Sequence, residues 1–249
     1  MTENILFILG GVAIFLYGID LMGDGLKRSA GNKIRTIIEK TTNTPLKGIL
    51  VGILLTGLLQ SSSGVTVLII GLVGAGLMTL KQAVGVVFGA NIGTTITSVL
   101  IGLPIADYAL LFVFVGVIMI IFFKRKMVQS IGTTILGFGL IFFGLEVMGS
   151  GLKEIVMTDA VHDLFLLFSD TSNSFFWFFG VSFGTLFTAA VQSSSASIGI
   201  IQKLYHLNVE AGVQTFTLWG ALPMILGANI GTTITGLLAS INGDRKSVV

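Results

Sequence analysis

Gln60-Ser61-Ser62-Ser63 and its second appearance, Gln192-Ser193-Ser194-Ser195, each interrupt an apolar run with four adjacent hydrogen-bonding side chains. In hydrocarbon such groups are costly unless they face a partner or a watery cavity. The two tetrapeptides therefore point to a polar ligand held inside a membrane protein.

The repetition extends outward from them. Gly18 to Lys27 (GIDLMGDGLK) recurs as Gly144 to Lys153 (GLEVMGSGLK), and Gly89 to Thr95 (GANIGTT) recurs letter for letter as Gly227 to Thr233. Three blocks in one order, at offsets of 126, 132 and 138 residues, make the chain a duplicated unit. The units divide as 1–126 and 127–249, and internal duplication is a recurrent plan of transporters.

Composition agrees with a membrane setting. Only 10% of the 249 residues are charged and 53% are hydrophobic, with a mean hydropathy of +0.97, where a soluble domain carries about 25% charge. Thirty-three glycines suit helices packed through small side chains. The lack of cysteine excludes disulfides and thiolate metal sites, and a net charge of +2 gives no reason to expect nucleic acid. Before Asp20 there is no basic leader and no small-residue cleavage site, so the start reads as a first membrane helix and not as a signal peptide.

Hydropathy and charge then predict a path. Ile5 to Met22 crosses, and Asp24 to Lys47 carries six basic residues that mark the cytoplasmic side. Gly48 to Leu80 is 33 residues, too long for one straight span and short for two of about 20. Two half-length helices meeting at Gln60–Ser63 fit better, a re-entrant hairpin that puts Lys47 and Lys81 on one face. Ala83 to Gly102 crosses outward on a glycine stripe (Gly85, Gly89, Gly93), Leu103 to Asp107 turns outside, and Tyr108 to Phe123 returns to Lys124-Arg125-Lys126. Ile131 to Met148 crosses outward, Gly149 to Ser174 is acidic, Phe175 to Leu204 repeats the hairpin from the outer face, and Gly212 to Ser240 returns inward.

This path leaves 12 of the 14 basic residues inside, with Lys153 and Lys203 outside. The expected fold is an all-α integral membrane protein with an inverted-topology repeat, about five transmembrane helices and two re-entrant helical hairpins meeting near the midplane. The N-terminus is expected outside and the C-terminus in the cytoplasm, in a multi-pass protein of the cell membrane, the inner membrane in a bacterium. The first unit's last helix, Tyr108 to Phe123, has no counterpart after Arg245, so the second unit is expected to be incomplete.

A hairpin tip leaves backbone groups unpaired. Helix N-termini there offer N–H donors and a positive dipole end to an anion, while carbonyl and side-chain oxygens suit Na+. Glycine and alanine in the GANIGTT blocks read as packing residues, which leaves Asn91, Thr94, Asn229 and Thr232 as secondary liners. Asp20 and Glu146 hold equivalent places near the ends of spans and read as interfacial, His162 and His206 as surface residues, and Trp177 and Tyr205 as interface anchors.

In both QSSS motifs and both GANIGTT blocks the chain resembles the type II sodium/phosphate cotransporters. The resemblance implies an inverted-repeat symporter of inorganic phosphate, coupled to Na+ and working by alternating access, with no other cofactor. It implies that Gln60, Ser61, Ser62, Ser63, Gln192, Ser193, Ser194 and Ser195 bind phosphate and Na+, with Thr66 and Ser197 as secondary candidates. The expected partners are phosphate, Na+ and the lipid bilayer, and a homodimer is left open. Neither motif contains Lys or Arg, so a phosphate there lacks a fixed counterion, and bound Na+ would supply the missing charge.

Two other classes compete. Paired half-helices also describe a passive anion or small-solute channel, but the asparagines lie outside the hairpin tips and no Asn-Pro-Ala triplet occurs. An intramembrane serine hydrolase would need a His, Lys or Asp beside Ser61 to Ser63 to activate the hydroxyl, and those segments contain none. The chain is therefore not expected to be an enzyme.

Overall fold

The computed structural model describes residues 2–30, 44–103, 105–156, 158, 174–210, 212 and 216–244, and 90% of these are helical, without strands among them. In chain order the helices are α1 (Thr2–Ala30), α2 (Pro45–Leu59), α3 (Ser62–Gly74), α4 (Leu80–Ile101), α5 (Ala109–Phe122), α6 (Lys126–Val156), α7 (Ser174–Val191), α8 (Ser194–Glu210) and α9 (Leu218–Asp244). A 3-10 turn, Ala106–Tyr108, leads into α5.

Four of them, α1, α4, α6 and α9, are long and apolar enough to cross a bilayer, which makes this a membrane protein. The expected fifth span, Tyr108 to Phe123, differs: α5 has 14 residues, about 21 Å at 1.5 Å per residue against a hydrocarbon core of about 30 Å. In contrast α1 and α6 run well past the apolar stretches that predict them, because Lys27 and Arg28 in one and Lys153 in the other favour the negative end of the helix dipole.

Two antiparallel helices form the spine. Along the α1–α6 seam glycine meets backbone: a Cβ on Gly18 would lie 2.7 Å from the Ile141 nitrogen, and one on Gly151 would lie 2.5 Å from the Asn4 carbonyl. Such approach between helices needs a residue without a side chain. The contacts come in exchanged pairs at the 126-residue offset. Gly18 on Ile141 answers Gly144 on Phe15, Gly25 on Ser130 answers Gly151 on Asn4, and Gly11 on Met148 answers Gly137 on Met22. The buried side chains follow suit, with Phe15, Ile19 and Met22 facing their counterparts Ile141, Leu145 and Met148 in one cluster.

The other packing is parallel. Gly85, Gly89 and Gly93 of α4 meet Pro45, Ile49 and Ile53 of α2 in that order, so both helices start at the same end and Gly48 faces Gln82. The chain between them must return the full length of α2, which α3 does, and Lys47 and Lys81 come to one end of this helix pair. The second unit repeats the plan: Gly184 of α7 meets Met224 of α9, and Gly231 of α9 meets Thr185 and Thr188 of α7. Pro223 sits inside α9 against Gly180.

The units differ in how their broken helices sit on the spine. In the first, α2 packs on α1, and Gly23 faces the Leu59 carbonyl and the Gln60 Cβ. In the second, α8 packs on α6, and Gly149, the counterpart of Gly23, faces the Lys203 side chain.

Candidate functional site

Both QSSS motifs fall at breaks between helices, and both breaks have one geometry. Gln60 has φ 53° and Gln192 has φ 58°, the two non-glycine residues with positive φ among those described. The left-handed turn ends the incoming helix, with the Gln60 N–H donating to the Thr56 carbonyl (2.7 Å) and the Gln192 N–H to the Thr188 carbonyl (2.6 Å). For a residue other than glycine this conformation costs about 1 kcal/mol or more. That both copies adopt it marks a geometry held by its surroundings.

The following serine starts the next helix. Ser61 Oγ accepts from the Gly64 N–H (3.0 Å) and Ser193 Oγ from the Ala196 N–H (3.2 Å), the N-cap arrangement expected of serine. The amides just inside each cap have no intrahelical acceptor, and the positive ends of the α3 and α8 dipoles lie there. Ser62, Ser194 and Ser195 are buried, and among the described residues their hydroxyls form no hydrogen bond. Thr66 and Ser197 instead return their hydroxyls to the Ser62 and Ser193 carbonyls, at 2.9 and 3.0 Å.

The two glutamines are treated differently. Gln60 is 9% exposed, its Nε2 donating to the Gly57 carbonyl (2.6 Å) and its Oε1 accepting from Thr97 Oγ1 (2.7 Å). Gln192 is exposed, and Thr235, the counterpart of Thr97, has a buried hydroxyl without a partner. Thr56 and Thr188, one turn before each glutamine, likewise bury hydroxyls without partners. Buried unpaired polar groups of this kind call for a ligand or water.

Those four threonines are absent from the sequence-derived set. The signal for two of them is the aligned repeat, which reads T-x-x-x-Q-S-S-S in both copies. The GANIGTT candidates are placed elsewhere. Thr94 and Thr232 are buried but donate to the Ala90 and Ala228 carbonyls of their own helices. Asn91 and Asn229 are exposed, two residues and so about 200° from the glycines that face α2 and α7. Asn91 lines an apolar surface cavity of about 330 Å³ with Ile69, Val84 and Phe88.

Among the remaining expectations, Asp20 is exposed, Glu146 pairs with Lys203 Nζ at 3.4 Å, and Trp177 and Tyr205 pack on the Phe176–Ile201–Phe216 cluster. His206 is exposed, and His162 lies outside the described residues. No group of three or more metal-ligating His, Cys, Asp or Glu occurs among the described residues. The donors gathered at the two breaks are hydroxyls, amides and backbone groups, which suit an oxyanion and a hard monovalent cation.

The pattern of the Na+/Pi-cotransporter family matches residues 14–150 and 156–248. The chain belongs to the Na+/Pi-cotransporter family. Within it, the chain is 30% identical over 232 residues to the Bacillus subtilis (strain 168) "Uncharacterized protein YqeW", covering 93% of this chain and 72% of that one. It is 27% identical over 244 residues to the Escherichia coli (strain K12) "Putative inorganic phosphate export protein YjbB", covering 98% of this chain and 42% of that one. It is also 30% identical over 102 residues to the human "Sodium-dependent phosphate transport protein 2B", covering 40% of this chain and 15% of that one. No solved structure matches. The relatives named for an activity are transporters and not enzymes.

Proposed function

We propose that the protein is a symporter of inorganic phosphate coupled to Na+, with both ions held between the two QSSS breaks. The observation that carries this reading is the paired break: the same left-handed glutamine, capping serine and unpartnered threonine hydroxyl, twice in one chain. Phosphate would lie at the N-termini of α3 and α8 against the Ser62, Ser63, Ser194 and Ser195 groups. Na+ would take oxygens of Gln60, Gln192 and the neighbouring threonines, neutralising an anion that, among the described residues, no Lys or Arg meets at either break.

The exchanged contacts of α1 and α6 support an inverted repeat with its two-fold axis in the membrane plane. The common starting end of α2 and α4 supports a re-entrant hairpin, and the basic residues support a cytoplasmic face at that end. Alternating access then has a concrete form. The docking of Gln60 on Gly23 and the undocked Gln192 are two roles the units can trade, so that in the other state Gln192 docks on Gly149 and Gln60 is released. The Asn and Thr side chains of the GANIGTT blocks belong to helix faces outside this exchange.

Phosphate flux in proteoliposomes, with Na+, K+ or Li+ on either side, tests the reading. Movement of phosphate up its gradient in response to a Na+ gradient, in whichever direction the gradient points, is the expected result. Flux that follows the phosphate gradient alone would make the protein a channel. In calorimetric phosphate titrations Gln60→Ala and Gln192→Ala should each weaken phosphate and Na+ binding together, because each ion supplies part of the other's charge balance. Phosphate affinity independent of Na+ would sink the shared site.

A further inference from the structure

Among the described residues, one cation is largely enclosed by helices. Lys203 of α8 is 20% exposed, its stem crossing Gly149 of α6 where a Cβ would occupy the same space. Its partner, Glu146, is 63% exposed and sits 3.4 Å away. In this state the lysine is held against Gly149 by packing, while the carboxylate is more than half in water. In the repeat, the counterpart of Lys203 is Gly71 and that of Gln202 is Ile70, so this polar group exists in the second unit alone.

Gln202, Lys203 and His206 line a cavity of about 290 Å³ between α8, α6, α9 and the C-terminal end of α4. Gln202 Nε2 donates to the Ser98 carbonyl (3.3 Å), while its Oε1 is buried with no hydrogen-bond partner. The cavity wall thus carries one ammonium, that of Lys203, and one unused acceptor, Gln202 Oε1, in a mostly apolar lining. That combination suits an oxyanion that retains a proton, as inorganic phosphate does at neutral pH and sulfate does not. Lys203 follows Ser195 by eight residues, about 12 Å along α8 at 1.5 Å per residue, toward the end of α8 opposite its QSSS break.

We propose that this cavity is a second anion subsite, a way-station between the QSSS breaks and the outer face, where phosphate replaces Glu146 on Lys203 and donates a hydrogen bond to Gln202 Oε1. The assignment of phosphate rests on the transport reading above. Glu146 acts as the stand-in that keeps Lys203 neutralised when the subsite is empty. The two members of the ion pair therefore have opposite effects: losing the lysine removes the subsite, and losing the carboxylate removes its competitor. A plain structural tie would respond alike to either loss.

The chain contains no cysteine, so His206→Cys provides a single reporter on the cavity wall, with Tyr205→Cys as a second should the first fail to fold. Inorganic phosphate should slow modification of the reporter by a negatively charged thiosulfonate, sulfate should do so at least tenfold less effectively, and the protection should persist without Na+. Adding Lys203→Gln should abolish it, and adding Glu146→Gln should lower the half-protecting phosphate concentration severalfold. The subsite is overturned if phosphate gives no protection, if sulfate protects equally, if Na+ is required, or if both substitutions weaken protection. Flux measured on the same preparations separates the two readings: protection without flux upholds the subsite and refutes transport, and flux without protection does the reverse.

Discussion

The Thr97–Gln60 hydrogen bond and its missing counterpart make a paired prediction. Thr97→Val removes the hydroxyl while nearly preserving shape, in a residue 2% exposed, and leaves Gln60 Oε1 buried without its donor. Stranding a buried acceptor costs about 1–3 kcal/mol, a factor of roughly 5 to 150 in the folding equilibrium. Thr235→Val removes a hydroxyl that has no partner, so it should be neutral or stabilise by up to about 1 kcal/mol through relief of desolvation. Denaturant unfolding in mixed micelles without phosphate or Na+ resolves a gap of this size. The reasoning is refuted if the two substitutions cost the same, since Thr97 has a glutamine accepting its hydroxyl and Thr235 has none.

Glycines on seams and in open space should separate just as clearly. Gly52→Ala, whose Cβ would overlap the Val86 carbonyl, should lower stability by about 1–3 kcal/mol, while Gly10→Ala, with nothing within 4 Å, should raise it by up to about 1 kcal/mol in the same unfolding assay. Gln192→Gly relieves a left-handed backbone at φ 58° and should raise the melting temperature while weakening phosphate binding by calorimetry; a loss of both would mean that the side chain holds the fold. Single cysteines at Lys33 and Lys126 should be labelled from the cytoplasm alone and one at Asp163 from outside alone, and labelling of positions 33 and 126 from opposite faces would remove the inverted repeat.

The helix breaks were legible because four polar side chains in an apolar run leave no continuous helix a favourable environment, and the close packing of α4 was legible in its glycine spacing. The left-handed glutamines were not, since glutamine has no local preference for positive φ. Nor were Thr56 and Thr188, because a threonine in an apolar helix ordinarily returns its hydroxyl to the carbonyl four residues back, as Thr94 and Thr232 do. The exposure of Asn91 and Asn229 was hidden for the converse reason: composition marks asparagine as polar, but only the phase of the helix decides which way it points. The unequal docking on Gly23 and Gly149 was not legible in the shared motifs, because both copies carry the same Gln-Ser-Ser-Ser; the residue that does differ, Lys203 against Gly71, lies eight residues beyond the motif.

The spine has a consequence for how the molecule is built over time. The partner that fills the glycine seam of α1 is α6, which begins about 100 residues after α1 ends, a delay of roughly 5–20 s at a synthesis rate of about 5–20 residues per second. Through that interval Gly11, Gly18 and Gly25 face lipid, α1 inserts without its neighbour, and the first unit's broken helix arrives before the groove it shares with α1 has been closed from the other side. Lateral association in the bilayer, and not insertion, then closes the spine, and in a nascent chain halted before residue 126 α1 has α2 beside it but a glycine seam still open to any other small-residue helix nearby.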